Sequence, residues 1–374
     1  MREPLTENRI PYVLDCYMKK KVVVAMSGGV DSSCAAAILL AQGYDVIGMT
    51  LKLWSAKDCG KTKDKSCCSL NDAEDARKVA GKLGIPFYVM DCHKEFSEKV
   101  IDYFCDEYLN ARTPNPCIVC NNEIKFGFLF DKARALGGDY VATGHYAKVE
   151  YDKSNNRFLL KRSVDKNKDQ SYVLFGLTQD KLSRILFPMG EYTKDRVRQT
   201  AKWFELSVAD KKESQEICFV DQDKYGEFLK ERLGDKIKPG KIVNKDGKVL
   251  GSHKGVCFYT IGQRKGMGIA DKHPLYVVEI DKKENKIIVG TAQDLKKKKF
   301  KVKDLNWIAG EEPKSPFSAE TKIRYNHPAA PAEIELLKNN EAQVEFDQAQ
   351  QAVTPGQAAV FYKNDTVLGG GWIE

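Results

Sequence analysis

The chain lacks any apolar run approaching the ~18 residues needed to cross a bilayer as a helix. No secretory leader is expected either. Met1 to Lys20 carry Glu3, Glu7 and Asp15 and no long apolar centre, which fits neither a signal peptide nor an acid-poor transit peptide. The expectation is an N-terminal extension over 1–20 and a cytoplasmic protein with no membrane partner. No repeat of 20–50 residues is visible. Neither the Walker A spacing, ending in Gly-Lys-Ser/Thr, nor a dinucleotide Gly-x-Gly-x-x-Gly opens a helix here. Eleven cysteines, an odd number spread over 374 residues without a leader, argue against a disulfide framework. Thiol chemistry or metal binding becomes the question instead. The charge excess is small: 60 basic against 52 acidic residues give +8, compatible with an RNA partner and insufficient to require one.

What the chain has is a strand–loop–helix built for an anion. Lys21-Val22-Val23-Val24-Ala25-Met26 reads as a buried strand and Ser33 to Leu40 as a helix, with Ser27-Gly28-Gly29-Val30-Asp31-Ser32 between them. The two glycines let backbone N–H groups turn inward, and the serines and helix start add donors where the helix dipole favours negative charge. It resembles the pyrophosphate loop of enzymes that adenylate a substrate by cleaving ATP between the α and β phosphates, so ATP binding is expected. Asp31 is either a metal-anchoring or catalytic carboxylate, or a first-turn helix acid.

Around the loop, strands over Val22–Met26, Asp45–Leu51, Phe87–Met90 and Tyr140–Thr143 alternate with helical patterns such as Asn71–Leu83. Alternation of that kind predicts a doubly wound parallel sheet with ligands at the strand ends. Helices are expected around Thr193–Leu206 and Gln222–Leu233. Beyond Lys238-Pro239-Gly240 the texture changes to short strands: Lys248–Leu250, Gly255–Ile261, Leu275–Ile280 and Lys286–Val289, then Thr321–Tyr325, Ala342–Phe346, Gln357–Tyr362 and Val367–Ile373. The predicted organisation is α/β: a catalytic domain over 21–215, a mixed central domain over 216–298 and a β-barrel-like domain over 299–374. The run Lys296 to Lys299 reads as a solvated linker.

A second segment carries thiols: Thr113-Pro114-Asn115-Pro116-Cys117-Ile118-Val119-Cys120-Asn121-Asn122. Two prolines predict a stiff extended stretch, with a helix starting at Asn121 or Asn122. Cys120 would then lie beside a helix N-terminus with Lys125 one turn on, an environment that favours a thiolate. Cys117 and Cys120 form a Cys-x-x-Cys pair, and Cys218, in Ser214-Gln215-Glu216-Ile217-Cys218-Phe219, is the third candidate. Cys59, Cys67 and Cys68 are further possible partners. Three thiols fit an iron–sulfur cluster with an open iron, or a persulfide–disulfide cycle.

Taken together these motifs resemble the tRNA 2-thiouridylase family. The matching pieces are Ala25 to Ser32, Thr113 to Pro116, Cys120-Asn121, Ala142-Thr143-Gly144-His145-Tyr146-Ala147, Lys168 to Tyr172, Ser214 to Phe219, and Tyr259 to Gly266. The resemblance implies ATP, assisted by magnesium, held by Ala25, Met26, Ser27, Gly28, Gly29, Val30, Asp31, Ser32, Leu51 and Gly144. It implies attack of the wobble uridine O2 on the α-phosphate, Cys218 as persulfide carrier, and Cys120 as the nucleophile that resolves it, with a disulfide at the end. Asn115, Pro116 and Cys117 would meet the target base. His145, Lys168, Asp169, Gln170, Arg324, Tyr325 and Gln357 match tRNA-contacting positions. The sulfur donor would be a cysteine desulfurase relay or inorganic sulfide, and the tRNAs those reading Lys, Glu and Gln codons. Many members carry Asp where Cys117 stands. Members with a third cysteine look suited to a [4Fe–4S] cluster on Cys117, Cys120 and Cys218, so the thiol cycle and the cluster both stay open. Two other classes also remain: an amide-forming adenylating enzyme, and a non-catalytic RNA-binding iron–sulfur protein.

Overall fold

A computed structural model describes residues 19–53, 70–212, 217–220 and 224–374. The 1–18 part of the N-terminal extension, Cys59, Cys67, Cys68 and Ser214-Gln215-Glu216 lie outside the described residues.

β1 (Lys21–Ala25) is the centre of a five-stranded sheet because Val22, Val23 and Val24 are apolar on both faces and fully buried. It is flanked by β2 (Asp45–Lys52) and β3 (Phe87–Asp91) on one side. β4 (Tyr140–Ala142) and β7 (Ile185–Leu186) lie on the other, giving the order β3-β2-β1-β4-β7. Every pairing in it is parallel. The first four strands fall where the alternation placed them, within a residue at each end.

α1 (Val30–Ala41) follows β1 and α2 (Leu70–Leu83) precedes β3. Small side chains, Cys34 to Ala37, let α1 bury nearly its whole circumference between the sheet and helix Lys194–Trp203, where Cys34 Sγ donates to Val197 O at 3.3 Å. Burial chiefly, aided by Asp31, pushes the Cys34 thiol up to about 12, so it stays a neutral packing group.

The central region forms a four-stranded sheet, β10-β11-β8-β9, from β8 (Gly240–Asn244), β9 (Val249–His253), β10 (Tyr276–Asp281) and β11 (Lys286–Gly290). The strand expected over Gly255–Ile261 is a single tight turn, Val256–Phe258, followed by irregular chain. Gly255, at φ +158, begins it, and Cys257 is buried there.

The C-terminal strands close on themselves. β12 (Lys296–Trp307), β15 (Glu341–Gln351), β14 (Ala330–Leu337), β13 (Phe317–Lys322), β16 (Ala358–Lys363) and β17 (Thr366–Ile373) run in that order, and β12 also pairs with β17. The result is a six-stranded barrel without free edges. Two details differ from the sequence reading. Lys296 to Lys299 begin β12 rather than a linker, paired with Gln351, Gln350 and Glu345 and balanced by ion pairs from Lys298 and Lys299 to Glu345 at 3.3 and 3.7 Å. A strand on a barrel exterior tolerates lysine because the side chains stay in water while the backbone pairs. The strand expected over Thr321–Tyr325 ends at Lys322, and Arg324-Tyr325 begin a turn.

β5 (Ala147–Asp152) and β6 (Arg157–Arg162) leave the parallel sheet and pair, through β6, with β17 of the barrel. The parallel-sheet half and the barrel are thus joined through one ladder.

Candidate active site

Strand order reverses at β1 and β4, and in parallel sheets the crevice beyond that reversal is where ligands settle. Two loops meet there. The first, Met26 to Gly29, is tied to β2 by Thr50 Oγ1 donating to Met26 O at 2.6 Å. Gly28 has φ +71, and a Cβ on it would lie 2.2 Å from Asp72 O, so no other residue fits. Gly29 is the N-cap of α1 and contributes no side-chain cap. The loop closes on itself instead: Ser27 N donates to Ser32 Oγ at 3.1 Å, and Ser32 Oγ donates to Gly29 O at 3.2 Å. Ser33 Oγ is fully buried with no hydrogen-bond partner. An uncapped twelve-residue helix start with a buried hydroxyl left over is chemically matched to an anion.

The second loop follows β4. Gly144 passes so close to α1 that an added Cβ would sit 2.6 Å from Ser32 N. Tyr146 OH donates to Asp31 Oδ1 at 2.7 Å, and Lys194 Nζ donates to both oxygens of Asp31 at 2.7 and 2.9 Å. Lys194 is 8% exposed, and its ammonium lies 5.7 Å from the Tyr146 ring. Leu51 is buried at the end of β2. The β4 loop thus meets the first loop, with Gly144 against Ser32 and Asp31.

Sequence reasoning missed two lysines here. Lys194 opens its helix beside the N-cap Thr193, and a cation in a first turn opposes the helix dipole, which is the signal that it serves something else. Lys211 Nζ donates to Gly28 O at 3.0 Å and to Asp72 and Asp75 at 2.6 Å each. Burial works against its charge, but the bonds to the two carboxylates outweigh it and the pKa is raised. Lys211 thereby clamps the anion loop to α2.

The thiol segment differs from expectation. The helix starts at Pro116, not Asn121: it runs Pro116–Val119, widens through Cys120–Phe128 into π-type turns, and continues over Leu129–Ala135. Proline is favoured in a first turn, whose N–H groups need no intrahelical partner, so the second proline begins the helix with Asn115 as N-cap. Cys117 lies in the first turn and is exposed. Cys120 is a full turn inside, its N–H bonded back to Pro116 O, and is 7% exposed. It belongs to the large apolar cluster that also contains Phe104, Ile124 and Phe219, and Cys218 packs against that same cluster. Phe219 is held edge-on by Phe96 and Phe104, with ring centroids at 5.7 and 5.2 Å. Cys92 sits in this cluster too. Burial first, then Glu95, Asp91 and Cys120, push its thiol up to about 12.

Among the described residues no group of three or more His, Cys, Asp or Glu side chains is placed to share a metal ion. Cys117, Cys120 and Cys218 are all described, so the three-thiolate set that a [4Fe–4S] cluster needs is not gathered, and the iron–sulfur expectation is not supported.

The remaining positions fall into two groups. Gln170 accepts from Tyr146 N at 2.9 Å, while its own N–H donates to Tyr146 O at 2.7 Å. Asp169 is buried and accepts from Ser163 N, Ser171 N and Ser171 Oγ. Lys168, half-buried, turns the chain through its N–H to Asp165 O at 3.0 Å. On the barrel, Tyr325 lies edge-on to Tyr172 at 6.2 Å, and Lys322 Nζ stands 5.7 and 5.5 Å from those two rings. Arg324 Nη2 reaches Gln351 O at 3.4 Å. Gln357 donates to Thr113 O and Pro114 O at 2.9 and 3.2 Å.

His145 is enclosed. Its Nδ1 is 2.7 Å from Thr143 Oγ1, and the rings of Phe126 and Phe187 stand 6.0 and 5.9 Å away. Burial, aided by Lys125, holds its pKa well below 6.5. As pH falls below 6.5 the unfolded chain takes up the proton first, so stability should drop by up to about 1.4 kcal/mol per pH unit from this one site. Burial shifts His253 and His327 the same way. Denaturant unfolding from pH 7 to 5 should show a shallower acid loss in His145→Gln. An unchanged slope would mean that His145 charges in the folded protein.

Residues 20–222 match the tRNA methyl transferase HUP domain, 226–291 the tRNA methyl transferase PRC-barrel domain, and 297–373 the Aminomethyltransferase beta-barrel domain. The chain is 51% identical to the tRNA-specific 2-thiouridylase MnmA of Carboxydothermus hydrogenoformans over 362 residues, covering 96% of this chain and 99% of that protein. It is 50% identical to the protein of the same name from Clostridioides difficile over 358 residues, covering 96% and 99%. With half its residues shared along nearly its whole length, and the anion loop, the β4 loop and the Cys120 helix on the same frame, this chain belongs to the tRNA-specific 2-thiouridylase family.

Proposed function

We propose that this protein 2-thiolates the wobble uridine of tRNA, using ATP to activate the base and its own thiols to deliver sulfur. The observation that carries it is the convergence of an uncapped helix start, a buried Ser33 hydroxyl and the Asp31–Lys194–Tyr146 network beyond the β1/β4 reversal. The loop N–H groups from Gly28 onward would hold the β and γ phosphates. Magnesium, when bound with the nucleotide, supplies charge neutralisation for the departing pyrophosphate, and Asp31 is the carboxylate in the loop that could hold it.

Uridine O2 attacks the α-phosphorus and the bond to the β-phosphate oxygen breaks, leaving O2 adenylated and C2 electrophilic. The terminal sulfur of a Cys218 persulfide then forms a bond to C2 and AMP leaves with the C–O electron pair. The Cys120 thiolate attacks Cys218 Sγ. The persulfide S–S bond breaks, its electron pair becomes the C2 thione, and a Cys120–Cys218 disulfide remains for an external dithiol to reduce. The common apolar cluster beneath Cys120 and Cys218 supports that pairing. The donor of sulfane sulfur would be a persulfide relay of the cysteine desulfurase type, and the RNA partner is a tRNA with a wobble uridine.

The test combines purified protein, unmodified tRNA transcript, ATP and a persulfide donor, followed by nucleoside mass spectrometry and AMP quantitation. One 2-thiouridine and one AMP per turnover is the expected result. AMP release that needs a small amine and ignores tRNA and sulfur would replace it with an amide-forming adenylation.

A further inference from the structure

We propose, granting the tRNA thiolation proposed above, that Gln357 is a positioning residue that makes the C-terminal barrel part of the catalytic loop. Pro114 and Pro116 have no N–H, so the chain from Thr113 to Pro116 can form no regular ladder of its own, and its carbonyls need donors from elsewhere. Gln357 supplies them: its Nε2 donates to Thr113 O at 2.9 Å and to Pro114 O at 3.2 Å, committing the side-chain amide to the loop. Thr113 N donates to Pro355 O at 2.8 Å, completing the grip from the same barrel turn. Thr113 Oγ1 donates to Thr260 Oγ1 of the central region at 3.3 Å. All three parts of the chain therefore meet on Thr113, four residues before Cys117 and seven before Cys120.

The turn that holds Thr113 is itself fixed. Gly356 N donates to Ile373 O at 3.0 Å and Ile373 N to Gln357 O at 2.9 Å, locking it to β17. Arg112, paired with Glu107 at 2.8 Å, reaches the same Ile373 O at 3.4 Å. Gly356 sits at φ +88, and a Cβ there would be 2.9 Å from Thr113 O and 3.0 Å from Arg112 Cβ. No side chain can be accommodated between barrel and loop. Where the helix begins, and so where Cys117 and Cys120 stand relative to a bound base, is set by a turn more than 200 residues away in sequence.

A residue that only touches RNA should change tRNA affinity. A residue that positions the loop should change turnover, since a shift of about 1 Å in a reacting group costs about 100-fold in rate. The experiment compares Gln357→Leu, which keeps the bulk and removes both donors, Gln357→Glu, which sets a carboxylate against two carbonyls, and Gly356→Ala, which keeps Gln357 and pushes on Thr113 O and on the Arg112–Glu107 pair. At saturating tRNA, kcat for thiolation should fall 10- to 100-fold in all three, most in Gln357→Glu. The Kd for tRNA should change less than threefold, and melting temperature confirms the fold. A Gln357→Leu protein with weakened tRNA binding and wild-type kcat would overturn the proposal. Should Gly356→Ala not fold, the order of the two Gln357 variants decides. Wild-type protein that does not thiolate tRNA at all would instead remove the functional reading, leaving the two failures distinct.

Discussion

Replacing Asp31 with asparagine is expected to lower thiolation by about 10²–10³-fold and to destabilise the protein as well. Asp31 accepts from Lys194 Nζ at 2.7 and 2.9 Å and from Tyr146 OH at 2.7 Å. Asparagine keeps the shape and removes the charge, so the ammonium of Lys194, a residue only 8% exposed, loses the Asp31 carboxylate. Breaking a buried pair from one side costs about 3–5 kcal/mol, and the low end applies because the Asp31 side chain keeps 29% of its surface in water. Stability and activity are separable here. Adding Lys194→Met removes the ammonium that faces Asp31, so the double variant should regain part of the lost melting temperature and none of the activity. Single-turnover AMP release with thermal unfolding on the four proteins of the cycle measures both. Asp31→Asn with near-wild-type AMP release would mean that the carboxylate is structural only.

That network also shows what the sequence could and could not disclose. The parallel sheet was legible because β1 to β4 are short apolar runs separated by helix-length segments, and the anion loop because glycine and serine occur where a strand ends and a helix begins. The order β3-β2-β1-β4, which brings Gly144 and Tyr146 against Ser32 and Asp31, was not legible in any local pattern. Tertiary pairing of strands a hundred residues apart decides it. Pro116 misled for a definite reason: proline breaks a helix interior but initiates a first turn, and local sequence does not say which position it holds. The Lys296 to Lys299 run misled likewise, because a closed barrel supplies backbone partners that a charge count ignores. Lys194 and Lys211 escaped because a lone lysine carries no motif, and the first-turn position of Lys194 says only that it is out of place, not what it serves. Their contacts, with Asp31 in one case and with Gly28 O, Asp72 and Asp75 in the other, show their roles.

The second large effect belongs to Cys120. Cys120→Ala should abolish tRNA thiolation, by about 10⁶-fold if it behaves as other covalent nucleophiles do. Adenylation does not need the thiol, so ATP-dependent AMP release in the first turnover should persist. The two facts together make a trap: with Cys120 absent, the Cys218–S–S–C2 species has nothing to resolve it. Persulfide-loaded Cys120→Ala should therefore accumulate a tRNA–protein adduct that dithiol releases as thiolated tRNA, visible on a denaturing gel. Cys218→Ala should give neither adduct nor product. Cys92 is the control, because its buried thiol, pushed up to about 12, is neutral at working pH. Cys92→Ala should keep thiolation within a few-fold of wild type despite lying in the same cluster as Cys120. Cys117, exposed in the first helical turn, separates the relay from a cluster mechanism. A relay needs only Cys120 and Cys218, so Cys117→Ser should retain activity, whereas a cluster would need all three thiols equally. Four irons per chain in anaerobically purified protein, lost with activity on Cys117→Ser, would overturn the relay.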